Sequence, residues 1–333
     1  MHKIVLLVVL IIFNNNLSAE TKTATEYKSV KNFINYMAKK HKFDKKELTK
    51  LFSQVELPVW KKSKKTSSVK KKKRKPISWD KYRSIFMTKQ RITDGIYFWS
   101  KYKHYLEKAS KEFKVPEEII VAILGVETNY GKQKGNYQTL YTLTNRSFNG
   151  YRRYKFYKKE LENFLLLTKE QNLNPIEIYG SYAGAMGYPQ FISSSYRHYA
   201  VDFDNDGKVD LLNSPIDAIG SIANYFRKHK WQEGGVIAKP FEFEVKDAKL
   251  SVKRPAKPKY NAYDWQKLGL QRGFNIPQLI KSALISLTTD SGEIEYWMSY
   301  WNFYVITRYN HDNRYAMVVF QLSEALKNLK DRL

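Results

Sequence analysis

The chain has 333 residues, 43% of them hydrophobic, which is enough for one large or two modest domains with real cores. It contains no cysteine, which excludes disulfides, thiolate metal sites, a cysteine nucleophile and a lipidated N-terminal cysteine. Fifty-eight basic against 32 acidic residues give a net charge of +26. That charge points to an anionic partner or surface, whether nucleic acid, anionic lipid or an acidic wall polymer.

In chain order, His2 and Lys3 precede an apolar run from Ile4 to Phe13, and small residues follow near Ala19. A basic start, a short apolar stretch and small residues read as a cleavable signal peptide over 1–19. The run is short for a membrane span, and no later segment is long and apolar enough for one. The mature protein is therefore expected to be exported, and soluble or held electrostatically. Residues 20–60 read as a small helical region. Val30, Phe33, Ile34 and Met37 fall at helical spacing, and Asp44 with Glu47 forms a capping-box pattern ahead of Leu48, Leu51 and Phe52. Residues 61–76 are a basic linker, from Lys61 to Lys75, serving either as a solvated tether or to capture an anionic polymer.

From 77 to 235 the pattern is mainly helical. Ile96, Trp99, Tyr102, Leu106 and Ala109 mark one helix, and Phe156, Leu161, Phe164, Leu165 and Leu167 another. A third covers 214–231, with Ile216, Ile219, Ile222, Ala223 and Phe226 on one face. Between 236 and 306 the period changes. Phe241-Glu242-Phe243-Glu244-Val245 alternates as a strand, and 284–287 and 294–306 are rich in aromatic and β-branched residues, so a small sheet is expected. A helix over 315–329 closes the chain.

Three segments carry chemistry. The first runs from Ile119 to Gly131 and ends an apolar helix on Glu127. Pro116 marks its start, Glu117 and Glu118 lie in the first turn, and Gly131 can stop it. A carboxyl at the end of a buried helix is either a general acid kept protonated by desolvation or a side chain that has merely emerged into water. The second segment is Ser181-Tyr182-Ala183-Gly184-Ala185-Met186-Gly187-Tyr188-Pro189-Gln190-Phe191. Its small residues either keep a groove open beside the Gln190 amide or pack two helices tightly. In the third, Asp202, Asp204 and Asp206 precede Gly207 at the spacing that opens an EF-hand loop. Lys208 would offer its carbonyl, Asp210 follows at position 9, and Asn213 stands where a bidentate Glu is expected, which leaves Asp217 as the replacement. An acidic turn is the alternative, but this spacing favours Ca²⁺. There is no His-Glu-x-x-His, no phosphate-cradling glycine loop and no Gly-x-Ser-x-Gly. Clustered lysines near aromatics fit nucleic acid, but an export signal argues against that destination.

In this order the segments resemble the lytic murein transglycosylase B family. The resemblance rests on Gly125-Val126-Glu127-Thr128 with Tyr130-Gly131, the stretch from Gly180 through Gln190-Phe191, Tyr199 to Asp204, and Asp217 to Phe226. Arg308-Tyr309-Asn310-His311 with Tyr315-Ala316-Met317 completes it. It covers the chain from about Tyr27 onward. Pro189, Ser193 and the long basic run depart from the family pattern.

The resemblance implies an α+β, mainly α fold. Its parts would be a lysozyme-like helical core (77–235), a small helical N-terminal domain, a small β domain (236–306), an EF-hand-like calcium loop and a closing segment (307–333) that completes the groove. It implies a periplasmic enzyme acting on peptidoglycan glycan strands. The enzyme would cleave the bond between N-acetylmuramic acid and N-acetylglucosamine and leave a 1,6-anhydromuramic acid end. Glu127 would be catalytic. Tyr82, Arg152, Arg153, Ser181, Gln190, Phe191, Tyr225, Tyr309, Asn310 and Tyr315 would bind substrate. Asp202, Asp204, Asp206, the Lys208 carbonyl and Asp217 would hold a structural Ca²⁺, with no cofactor for catalysis. Other cell-wall enzymes are possible partners. A hydrolytic muramidase and a non-catalytic wall-binding scaffold are the alternative readings.

Overall fold

The structure, a computed structural model, describes residues 20–59, 77–241, 250–270 and 279–333. The signal segment 1–19, the basic linker 61–76 and the stretch 242–245 of the expected strand lie outside the described residues.

Strands β1 (Thr21–Thr23) and β2 (Glu56–Pro58) pair antiparallel and bracket helices α1 (Lys28–His41) and α2 (Lys45–Ser53). Asp44 caps α2 by accepting a 2.8 Å hydrogen bond from the Glu47 amide. Val30, Phe33, Ile34 and Met37 are all buried, as their spacing requires. Helix α1 docks on the main body through Phe33, whose ring lies 5.7 Å from that of Phe148.

The main body holds α3 (Trp79–Phe86), α4 (Lys89–Lys101), α5 (Lys103–Phe113), α6 (Glu117–Thr128), α7 (Thr139–Phe148), α8 (Tyr154–Glu170), α9 (Ser193–Tyr199) and α10 (Pro215–Lys228). A two-residue ribbon joins β3 (Tyr137–Gln138) to β4 (Tyr179–Gly180). The helix expected across Ile96 to Ala109 is two helices that meet at Tyr102, whose backbone leaves the helical region at φ −111° and ψ 22°. The break lets α4 pack on α6 while α5 turns to lie along α10. Helix α6 sits at the centre, in contact with α4, α5, α10 and a helix from the C-terminus, and Ile119 through Gly125 are all buried. Each buried aliphatic side chain there contributes about 2 kcal/mol of transfer free energy. Its end is also corrected: the helix stops at Asn129 in the left-handed conformation, two residues before Gly131.

Strands β5 (Ala238–Phe241), β6 (Ala283–Thr288) and β7 (Ile294–Ser299) form an antiparallel sheet in the order β5-β7-β6. With α11 (Ala262–Lys267) it encloses a separate small core around Trp265, Leu284 and Met298. The aromatic and β-branched stretch expected to continue as sheet turns instead into α12 (Trp301–Tyr309). Asn302, Phe303, Ile306 and Thr307 are buried at helical spacing, so packing against the main core overrides the local β preference. Helix α13 (Asn313–Lys330) then crosses the molecule and packs along α6, α4 and α3.

Candidate active site

Glu127 lies on the last turn of α6 and is half-buried. Three consecutive left-handed residues turn the chain away behind it: Asn129 at φ 50°, Tyr130 at φ 60° and Gly131 at φ 90°. The Tyr130 amide donates to the Leu124 carbonyl at 3.0 Å, closing the helix end. A Cβ on Gly131 would lie 2.0 Å from the Tyr188 ring, so only glycine fits. Thr128 secures the same corner. Its hydroxyl donates to the Tyr188 carbonyl at 3.0 Å and accepts from the Gly131 amide at 3.0 Å. Thr128 and Tyr188 lie inside the sequence motifs but carry no site role there; their positions beside the acid and within the glycine-rich segment are the signal.

Helix α13 supplies the partner of the acid. The Tyr315 hydroxyl donates a 2.6 Å hydrogen bond to Glu127 Oε1, and Tyr315 is 1% exposed. Burial pushes the Tyr315 phenol well above its ordinary range, and the negative charge of Glu127 pushes it further. Tyr309 is raised for the same two reasons, its own burial first. Tyr225 is raised by burial and then by Tyr199 and Glu127, against the opposing charge of Arg308. Tyr82 is raised by burial and then by Asp312, opposed by Arg314, with Glu127 adding to it. Four phenols around one carboxylate thus stay neutral O–H groups across the working range of pH.

The rings of Tyr225, Tyr309 and Tyr315 form a continuous wall with Phe191. Phe191 lies 5.6 Å from Tyr225 and 5.7 Å from Tyr309, Tyr225 lies 4.9 Å from Tyr309, and Tyr309 stacks on Tyr315 at 6.4 Å. The Tyr309 hydroxyl donates to the Pro189 carbonyl at 2.5 Å, tying α12 to the glycine-rich turn. Gln190 holds that turn at φ 49°, and its amide nitrogen donates to the Lys134 carbonyl at 3.0 Å and the Gly187 carbonyl at 2.9 Å. Ser181 Oγ accepts from the Ala185 amide at 3.0 Å. The small residues of 181–191 thus form turns against α6 and α12, not a contact between two helices. Asn310 ends α12, and among the described residues its buried side-chain oxygen and Tyr82 Oη have no hydrogen-bond partner. Arg152 and Arg153 are exposed in the loop after α7, where the Arg153 guanidinium lies 4.2 Å from the Phe156 ring centre.

Behind the turn lies the acidic loop. Carboxylate oxygens of Asp202, Asp204 and Asp217 lie within 4.8 Å of one another. Asp217 is buried, and its two oxygens accept from the Phe203 amide at 2.8 Å and the Asp210 amide at 2.7 Å. Burial raises its carboxyl pKa, these two hydrogen bonds lower it, and the charges of Asp204 and Asp202 raise it again. Gly207 takes φ 88° and donates its amide to Asp202 Oδ2 at 2.9 Å. Asp206 lies outside the three-carboxylate cluster, and its Oδ1 accepts from the Lys208 amide at 2.8 Å. Crowded hard oxygens of this kind fit a divalent cation of the Ca²⁺ type. The Leu211 carbonyl of the same loop accepts from the Tyr188 amide at 2.9 Å, which links the loop to the corner behind Glu127.

Residues 25–324 match the model of the Transglycosylase SLT domain family, and the chain belongs to that family. It is 38% identical to the membrane-bound lytic murein transglycosylase B of Escherichia coli (strain K12) over 299 residues, which covers 88% of this chain and 81% of that protein. Among solved structures, the soluble lytic transglycosylase SltB1 from Pseudomonas aeruginosa superposes with a TM-score of 0.79 at 36% identity, covering 91% of this chain and 99% of that one. The Escherichia coli lytic transglycosylase Slt35 in complex with calcium superposes at 0.76 with 37% identity, covering 91% and 94%. The mainly helical architecture is that of the lytic transglycosylases. Among the described residues, no helix is long and apolar enough to cross a membrane.

Proposed function

We propose that this enzyme, a lytic transglycosylase of peptidoglycan, cleaves the bond between N-acetylmuramic acid and N-acetylglucosamine with Glu127 acting first as acid and then as base. The observation that carries the reading is the position of Glu127, half-buried on a rigid helix end, gripped by a buried tyrosine and backed by packed aromatic rings. Glycosidases commonly use two carboxylates. The motifs of this chain supply one, and one is enough if the substrate supplies the rest.

Protonated Glu127 gives its proton to the glycosidic oxygen as the bond from C1 of muramic acid breaks, releasing the acetylglucosamine hydroxyl. The 2-acetamido oxygen of the muramic residue stabilises C1 from within the substrate. The C6 hydroxyl of the same sugar then attacks C1, its proton passes to the Glu127 carboxylate, and a 1,6-anhydro ring closes without water. The internal nucleophile gains its rate from proximity. Asn310, with an unpartnered buried oxygen, is suited to receive the acetamido N–H. Ser181 is placed to line the approach and Phe191 to back the tyrosines from the core, whereas Gln190 acts by holding the turn, since its amide donates to backbone carbonyls. Arg152 and Arg153 would meet stem-peptide carboxylates.

Asp202, Asp204 and Asp217, joined by Asp206 and the Lys208 carbonyl, would hold a structural Ca²⁺. The signal-like start and the positive charge support export to the periplasm and electrostatic attachment to the wall. The lysozyme-like core at 77–235, the β domain at 236–306 and the segment after 307 are the corresponding proposed units.

Mass spectrometry of the products of digested sacculi tests the reaction. Anhydromuramic ends, one water lighter than reducing ends, are expected. Reducing ends would make the enzyme a hydrolytic muramidase, and no cleavage would leave a binding scaffold.

A further inference from the structure

The exposed surface of the chain carries a second aromatic feature that the chemistry at Glu127 does not use. Helix α7 places Arg146 among three tyrosines. Its guanidinium carbon lies 5.0 Å from the Tyr151 ring centre, 5.1 Å from that of Tyr157 and 5.0 Å from that of Tyr182. Arg146 also donates from Nε to the Tyr182 carbonyl at 2.9 Å and from Nη1 to the Tyr157 hydroxyl at 3.3 Å. One side chain therefore stiffens two separate loops and the start of α8. Tyr157 is buried within the cluster, but Tyr151 and Tyr182 remain 39% and 36% exposed. Large rings held rigid and left in water lose little conformational entropy on binding, which is the signature of a recognition platform.

The chain connectivity ties the platform to the wall around Glu127. Tyr182 sits at the tip of the turn that Gly184 closes onto the Ser181 carbonyl at 2.9 Å. The same loop returns through Met186, which bridges both Gly180 and Phe191, and Phe191 belongs to the aromatic wall around Glu127. Tyr151 directly precedes Arg152 and Arg153, two exposed cations suited to acidic groups on a neighbouring part of the same polymer. One loop thus carries both Tyr182 of the platform and Phe191 of the aromatic wall, and the platform offers flat rings for sugar faces and adjacent charges for carboxylates.

We propose that Tyr151 and Tyr182, locked by Arg146, form a remote stacking subsite for the glycan strand, which gives the enzyme a preference for long strands over short fragments. This rests on the peptidoglycan reading above and extends it to a sugar that is not adjacent to the bond broken.

The test compares uncrosslinked long glycan strands with a tetrasaccharide fragment. In Tyr182→Ala and in Tyr151→Ala, the ratio of kcat/KM for long over short substrate falls about threefold to tenfold, the range that one aromatic contact supplies. Tyr182→Phe keeps the ring and keeps the ratio. An unchanged ratio in both alanine variants, or an equal loss on both substrates, would overturn the proposal. A second arm is independent of turnover. In a Glu127→Gln background, Tyr182→Ala raises the Kd for long strands by the same factor, and an unaltered Kd also overturns it. Absence of anhydro product from either substrate would count against the activity at Glu127, while the binding arm would still decide the platform.

Discussion

The Tyr315 hydroxyl donates to Glu127 across 188 positions of sequence, joining the end of one buried helix to the first turn of another at 2.6 Å. That hydrogen bond orients the carboxyl. In Tyr315→Phe the orientation is lost, and turnover should fall roughly tenfold or more, in line with about 1.5–3 kcal/mol for a hydrogen bond to a charged group. Turnover of Tyr315→Phe equal to that of the parent, at an unchanged thermal transition, would contradict the role given to this contact.

Glu127→Gln removes the exchangeable proton but keeps the shape and the contact with Tyr315. No anhydro product should form, while the thermal transition stays within a few degrees and sacculi still sediment with the protein. Residual turnover close to that of the parent would rule out Glu127 as the acid.

Gly131→Ala tests the corner that aims the acid. Alanine at φ 90° costs about 1–2 kcal/mol from backbone strain alone, and its Cβ would meet Tyr188. A loss of stability of about 2 kcal/mol or more is expected by denaturant titration, with kcat falling more than KM rises. An alanine variant as stable and active as the parent would show that the corner has slack.

What could be read from the sequence follows the range of the forces involved. The run from Ile119 to Val126 announces a buried helix because every turn of it is apolar. The spacing of Asp202, Asp204, Asp206 and Gly207 announces its loop because the ligand geometry is local. The helix ends before Gly131 because Asn129 also adopts φ 50° and supplies an earlier stop. The break at Tyr102 leaves the apolar spacing almost intact, since α4 and α5 each bury an apolar face, Phe98 and Trp99 in one and Leu106, Ala109 and Phe113 in the other. The turn from sheet to helix at Trp301 is decided by where α12 must pack, which β propensity does not record. Tyr309 and Tyr315 carry no local mark of function. Only the family resemblance points to them, and the three-dimensional paths of α12 and α13 explain them. The Arg146 cluster had no motif at all.

The three-carboxylate cluster predicts a cation response. At a hundredfold excess over its Kd, a structural ion adds about 2.7 kcal/mol. For a chain of this size that raises Tm by several degrees, at roughly 2–4 °C per kcal/mol. Calcium added to chelator-treated protein should produce that rise, and Asp217→Asn should abolish it while the far-UV spectrum is kept. Since Leu211 of the loop holds Tyr188, chelation should also reduce turnover. A melting curve indifferent to calcium and chelator would remove the ion from this site.

The docking of α1 onto α8 depends on a buried carboxylate. Glu162 is 5% exposed and accepts from His41 Nε2 at 2.7 Å, Lys40 Nζ at 3.0 Å, Lys159 Nζ at 3.1 Å and the Tyr36 hydroxyl at 3.0 Å. Burial alone would raise its pKa, but these four donors together prevail and bring it down from 4.5 to about 2. A depressed folded-state value stabilises the protein above the unfolded value, and that stabilisation is lost as pH falls from 4.5 towards 2. The difference corresponds to about 3 kcal/mol at neutral pH, with roughly half of it gone by pH 3. Glu162→Gln should therefore lower stability by about that amount at pH 7, and the gap to the parent protein should close progressively below pH 4.5. Hydrogen exchange across α1 is the local readout, since the variant should loosen that helix before the main core. A gap that persists unchanged at pH 2.5 would mean that the contacts of the Glu162 carboxylate with Lys40, His41 and Lys159 do not hold the N-terminal helices in place.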